Sequence, residues 1–336
     1  MATKNRFTIE EGDEKIVGSQ QKSGRSFRFG GKAPRKDDLL FFTDGVGTPD
    51  PLWTRIIDHL HTATDIAIGI PVQRFPRTNA NLAELDAHGA AGMNLLQKVD
   101  SAALNQAVPS DLRDSQGRWY GLTRRLRAPM FNADLVSAEQ VSSYEALADP
   151  SLKGKLCLRN RRSVYNQSLV AFMLDEQGQG ATEDWIKGMV NNLAEPVFSS
   201  DTPMIRAVAQ GQCAVALANS YYLGRMQAGD KGEADQNLAG KVTVRWPDPV
   251  HVNITGGGVT RASRNPEAAQ RLLEFLSSDQ AQGGYAAANH EYPLMGIGED
   301  PVLQAWGPFQ QAKVSAERLG ELNAQAIELM AANGWQ

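Results

Sequence analysis

Short apolar runs with strand character alternate with stretches of helical periodicity along most of this chain, and that alternation is its strongest constraint. Leu39-Leu-Phe-Phe42 reads as a strand. Thr48-Pro-Asp-Pro51 then opens a helix, because threonine caps and proline is tolerated in a first turn. Leu52, Ile56, Ile57 and Leu60 recur at helical spacing, and Ile66–Val72 returns as a buried strand. Asp38–Val72 is thus one β-α-β unit. Further strands are expected at Lys155–Leu158, Cys213–Ala218, Val242–Trp246 and Val252–Thr255. Helices are expected at Val164–Leu174, Trp185–Leu193, Thr202–Ala209, Pro266–Leu276 and Ala316–Ala332. The alternation specifies an α/β fold with mostly parallel sheets. At 336 residues the chain suits two domains or one unit with two lobes. No low-complexity linker appears, so crossing strands would join the lobes, with Arg127–Asn132 and His251–Gly257 as candidates.

Several function classes drop out. A net charge of −4 argues against a nucleic-acid binder. No run approaches the roughly 18 apolar residues that span a bilayer. Two cysteines and five histidines exclude a thiolate-only or imidazole-rich metal centre. Cys157 and Cys213 fall in apolar strands, where free cysteine behaves as a small hydrophobe; a disulfide requires those strands to be neighbours. His59 and His61 are two apart on a helix and face different ways. His251 lies on a proposed crossing strand. Gly256-Gly-Gly258 lacks the Lys-Ser/Thr of a phosphate loop and reads as a close backbone crossing. No Gly-x-Ser-x-Gly elbow supports hydrolase chemistry, and the chain is not read as an enzyme.

All seven tyrosines lie after residue 119. Tyr221 and Tyr222 follow a buried strand, and Tyr165 opens a helix in Ser163-Val-Tyr-Asn-Gln-Ser168. Ligands of α/β sheets bind beyond the C-terminal ends of strands, where both groups sit. Phenolate is a hard anionic oxygen donor suited to a hard trivalent cation. A bound metal displaces the phenol proton, and nearby arginine favours the anion. Arg225 lies one turn after Tyr222, and Arg124, Arg125 and Arg127 precede a proposed crossing. A Tyr-Tyr pair is also a common packing arrangement, so spacing alone leaves both readings open.

From about Leu95 to Gln336 the chain resembles the periplasmic ferric-iron-binding proteins of bacterial ABC transporters, nearest to their cyanobacterial iron-uptake branch. The resemblance rests on Gly117-Arg-Trp-Tyr-Gly-Leu-Thr-Arg-Arg125, Tyr144-Glu-Ala-Leu-Ala-Asp-Pro150, Val164-Tyr-Asn-Gln-Ser-Leu169, Asn219-Ser-Tyr-Tyr-Leu-Gly-Arg225, His251-Val-Asn-Ile-Thr-Gly256 and Glu291-Tyr-Pro293. It implies a two-lobed periplasmic-binding-protein fold of type II that closes on Fe³⁺. It places the metal ligands at Tyr165, Tyr221 and Tyr222, with Arg125 and Arg225 supporting them. It also implies a small synergistic anion, an ABC permease as partner, a monomeric state and a periplasmic location. The lobes would be 38–126 with 252–282, and 127–251 with 283–336.

The first lobe departs from the family. Laying Phe41–Asp50 on its first-strand loop puts Val46 and Gly47 where a ligating His-Tyr pair is usual. Asp44, water or the anion would complete the shell, and the segment between Val72 and Leu82 is short for the usual helix and strand. Residues 1–37 read as a flexible basic arm, with nine Lys/Arg against four Asp/Glu up to Lys36 and no apolar run of a secretory signal. Two alternatives follow: a cleft for an organic anion or ferric chelate held by arginines, and a cytoplasmic iron-handling protein without a transporter.

Overall fold

The computed structural model describes the backbone of residues 6–11, 14–19, 39–43, 91 and 94–336 apart from 262 and 264. Side chains are described at residue 91 and from residue 94 on, except at 262, 264, 280 and 285–288. The expected β-α-β unit is therefore described only in its first strand, and its helix, with His59 and His61, lies outside the described residues. So do Asp44, Val46 and Gly47.

Strands β1 (Arg6–Glu11) and β2 (Glu14–Ser19) pair antiparallel. The stretch read as a flexible arm therefore contains a hairpin. The reason is local: Phe7-Thr8-Ile9 and Ile16-Val17 are strand formers.

The chain divides into two compact units. The first comprises Met1–Leu122 and Thr255–Gln282, and the second Thr123–Ile254 and Gly283–Gln336. Strand β4 (Tyr120–Phe131) and strand β8 (Val252–Val259) each pass from one unit into the other. The boundary on β4 falls after Leu122, ahead of the Arg127–Asn132 segment.

In the first unit, β3 (Leu39–Thr43) pairs antiparallel with β8, with Leu40 opposite Gly258. A Cβ on Gly258 would lie 2.6 Å from the Arg118 carbonyl oxygen. Only glycine permits that approach, so the glycine run serves a backbone crossing. Helix α1 (Ala102–Ala107) is capped by Ser101, whose hydroxyl also donates to Glu274 on α5 (Pro266–Leu276) at 2.6 Å.

The second unit holds the rest of the sheet. Strand β5 (Leu156–Cys157) pairs parallel with β6 (Val215–Asn219), while β4 pairs antiparallel with β6 and with β7 (Thr243–Val244). The described sheet is thus mixed rather than mostly parallel, because the crossing strand β4 runs against its neighbours. Helix α2 (Val164–Asn191) contains the two helices expected at Val164–Leu174 and Trp185–Leu193, separated by a kink at Gly178, where the backbone is non-helical. It packs along α6 (Ala316–Ala332). Leu169, Phe172, Ile186, Met189 and Met330 fill the core between them. Trp335 donates its indole N–H to the Arg159 carbonyl at 2.7 Å, which ties the C-terminus to the loop before α2.

On the other face of β6, α3 (Asp201–Ala209) and α4 (Ser220–Gln227) bury Met204, Ile205, Val208, Leu223 and Met226. Cys157 and Cys213 belong to this cluster, and they are bonded to each other. The reading of two free, hydrophobic cysteines is corrected: β5 and β6 are adjacent, which brings the Cα atoms to 5.9 Å across 56 residues of sequence. Among the described residues no helix is long and apolar enough to cross a membrane.

Candidate metal centre

Three phenols meet where two helices begin. Strand β6 is buried along its whole length and turns directly into α4 at Asn219, so Tyr221 and Tyr222 emerge in the first turn. Ser163 precedes α2, and Tyr165 is the second residue of that helix. The Tyr165 and Tyr221 hydroxyls lie 2.8 Å apart in a hydrogen bond. The Tyr221 and Tyr222 rings stack with centroids 4.3 Å apart, tilted by 30°. Tyr165 and Tyr221 are buried, and Tyr222 is half-buried. The sequence-predicted trio is therefore brought together.

Burial pushes the Tyr165 and Tyr221 hydroxyls well above the ordinary phenol value; Tyr222 adds to the rise at both and Tyr165 adds to it at Tyr221, while the hydrogen bond from Tyr221 works against it at Tyr165. Both are protonated in the metal-free protein. Opposing that rise, guanidiniums surround the rings. Arg125 and Arg225 lie 5.2 Å and 4.8 Å from the Tyr221 ring centroid. Arg127 and Arg159 lie 5.8 Å and 5.2 Å from that of Tyr165. Cations at such distances attract the ring face and stabilise a phenolate.

Both expected arginines are thus in place, and a polar network holds them. Arg125 Nε is 3.1 Å from Glu291 Oε1, with both side chains buried. Glu291 also accepts from Thr123 and Asn289, and Asn289 accepts from Arg225. Glu291 and Asn289 thereby join the two arginines that flank Tyr221. Against Gly224 in α4, a Cβ would lie 2.7 Å from the His290 Cβ, so this glycine lets the 289–291 segment approach the helix.

Sequence reasoning missed a second group. Asp201 accepts from Arg159 at 2.8 Å and lies 3.5 Å from Arg127. Arg127 also donates to Asn219 Oδ1 at 3.0 Å, to Asn166 Oδ1 and to the Leu217 carbonyl at 2.8 Å. The available signal was the place of Arg159 directly after the strand-like Lys155–Leu158 run and of Asp201 at the start of α3.

His251 does not join the phenols among the described contacts. Its Nε2 is 3.0 Å from Ser168 Oγ and its ring packs on Phe172. Burial, with the nearby charge of Arg127, pushes it down to about 3, so it stays neutral in the core. Among the described residues no three His, Cys, Asp or Glu side chains gather in a metal-holding group. The three phenols are an oxygen donor set among the described residues.

The family model for bacterial extracellular solute-binding proteins matches residues 88–313. Iron uptake protein A2 of Synechocystis sp. (strain ATCC 27184 / PCC 6803 / Kazusa) is 40% identical over 249 residues, which are 72% of each chain. The Fe(3+)-binding periplasmic protein of Serratia marcescens is 28% identical over 71% of this chain and 70% of its own. Among solved structures, Trichodesmium FutA in complex with iron and citrate aligns with a TM-score of 0.71 at 38% identity, covering 74% of this chain and 80% of that one. Apo FutA2 from Synechocystis PCC6803 gives the same TM-score at 39% identity, covering 74% and 81%. By motif, fold and family match together, the chain belongs to the bacterial extracellular solute-binding proteins.

Proposed function

We propose that this protein binds ferric iron through the phenolates of Tyr165, Tyr221 and Tyr222 and hands it to an ABC importer. The observation that carries the reading is the convergence of three phenols, two of them 2.8 Å apart at the hydroxyls, inside a shell of arginines. Three phenolates neutralise a trivalent ion, and hard anionic oxygen suits Fe³⁺. The metal supplies the energy that removes protons from phenols that burial holds protonated. Arg125 and Arg225 stabilise the anionic form of Tyr221. A small anion, water or Asp44 fills the remaining coordination positions. The relatives are named for iron uptake and ferric binding, which supports iron as cargo and a binding protein rather than an enzyme.

The site acts in the periplasm, in a monomer whose two compact units serve as the lobes of a binding-protein clamp. The disulfide between Cys157 and Cys213 supports an oxidising compartment over the cytoplasm, where thiols stay reduced. A ferric chelate is the second reading, favoured by the match to a relative solved with iron and citrate.

Titration of the purified protein with Fe³⁺ tests the proposal. One ion per chain and a visible phenolate-to-iron charge-transfer band are expected. Tyr222→Phe keeps the ring and deletes the donor oxygen, so it should remove much of the band. An unchanged band and affinity in that variant would sink the assignment.

A further inference from the structure

We infer that Asp201 is a positioning residue for the metal centre, holding Arg127 and Arg159 beside Tyr165 so that one buried positive charge stands in surplus there. The inference rests on the iron-binding reading above.

Asp201 is the first residue of α3 and is completely buried. One carboxylate serves two guanidiniums: its Oδ2 is 2.8 Å from Arg159 Nη1 and its Oδ1 is 3.5 Å from Arg127 Nη1. Arginine stays protonated in proteins. The other acceptors of these two side chains are neutral: Asn166, Asn219 and the Leu217 carbonyl for Arg127, and the Ser199 carbonyl for Arg159. Two cations and one anion therefore share a buried cluster. Isolated buried charge is costly, and such clusters usually balance. Among the described residues, the Tyr165 ring, which lies beside both guanidiniums, carries a hydroxyl that can supply the missing negative charge. A metal-bound Tyr165 phenolate closes the balance. Arg159 also acts electrostatically on Tyr222, so its charge reaches two of the three donors.

This arrangement has a spectroscopic consequence that packing alone does not. A positive charge beside a phenolate stabilises the donor electrons and raises the energy of phenolate-to-iron charge transfer. Removing a cation lowers that energy, and removing the anion between two cations raises it. Arg159→Gln should therefore move the iron band to longer wavelength and weaken Fe³⁺ binding by about ten- to hundredfold. Asp201→Asn keeps the shape, doubles the surplus, and should move the band to shorter wavelength. Arg159→Lys keeps the charge and should return the band toward its wild-type position.

Fe³⁺ titrations of wild type and the three variants, followed by visible spectroscopy with circular dichroism as a check of folding, decide the matter. Opposite shifts in Arg159→Gln and Asp201→Asn support the inference. Unmoved bands, or shifts in one direction for both, overturn it while the iron-binding reading stands. If Asp201→Asn does not fold, the red shift of Arg159→Gln and its reversal in Arg159→Lys decide alone, and their absence overturns the inference. A wild-type protein with no visible band overturns both.

Discussion

Replacing Tyr165 with phenylalanine separates the metal-binding role of this side chain from its packing role. Phe keeps the ring that lies beside Arg127 and Arg159 and removes the hydroxyl. In the metal-free protein this deletes the 2.8 Å hydrogen bond to Tyr221 and leaves that buried hydroxyl with one partner fewer. A buried hydrogen bond contributes about 1 kcal/mol net, and an unsatisfied buried partner costs about 1–3 kcal/mol. A destabilisation of about 1–2 kcal/mol follows, or about 2–8 °C in Tm. The effect on iron binding is of a different kind. Burial holds the Tyr165 and Tyr221 hydroxyls protonated, so each must release its proton when it ligates. Each released proton makes apparent affinity rise about tenfold per pH unit. Three ligating phenols give a rise of about a thousandfold per pH unit, and the variant about a hundredfold. Titration calorimetry in buffers of different ionisation enthalpy counts these protons directly, with a chelator buffering the iron. A loss of one proton per iron is expected. The same proton count in Tyr165→Phe would refute the assignment of Tyr165 as a ligand, whatever happens to stability.

Other perturbations follow from the same geometry. Arg225→Ala removes a guanidinium 4.8 Å from the Tyr221 ring, so the phenolate costs more to form and iron affinity should fall at every pH from mildly acidic to mildly basic, while circular dichroism stays native; affinity equal to wild type across that range would count against the role. Reducing the Cys157–Cys213 bond, which closes a separation of 56 residues, should lower stability by about 2–4 kcal/mol in denaturant titrations; no change on reduction would show that the bond does not constrain the unfolded chain. Burial alone would raise the Asp300 carboxyl, but hydrogen bonds from His290 and from the amides of Leu303 and Val302 hold it below its ordinary value. Its folded value being lowered, it contributes stability above the unfolded value, and that contribution is lost as pH falls through the folded one. Asp300→Asn should therefore destabilise at neutral pH and flatten the acid limb of a stability-against-pH curve; an unchanged acid limb would contradict this.

Much of the described chain was legible because its elements are local. Pro266–Leu276 and Ala316–Ala332 carry helical spacing along their length, and the helices form over those residues. The apolar run before Asn219 is a strand, and the phenols follow it as read. What stayed hidden depends on pairing between distant segments. Arg127 faces Asn219 across β4 and β6, a register that no spacing reveals. That pairing sets Arg127 among Asn166, Asp201 and Asn219, which are far apart in sequence. The disulfide stayed conditional for the same reason, since β5 and β6 become neighbours only in the sheet. The two helices read at Val164–Leu174 and Trp185–Leu193 lie on either side of a kink at Gly178, where the backbone leaves the helical region at φ 79° and ψ 173°.

The most direct test of iron ligation by three phenols is an iron-loaded crystal structure with anomalous scattering measured at the iron edge. A single anomalous peak within bonding distance of the Tyr165, Tyr221 and Tyr222 hydroxyl oxygens is the expected result. The Tyr165 and Tyr221 oxygens should then move apart from their 2.8 Å contact to share the ion. A peak elsewhere on the chain, or an ion at this site bound without the phenol oxygens, would contradict it.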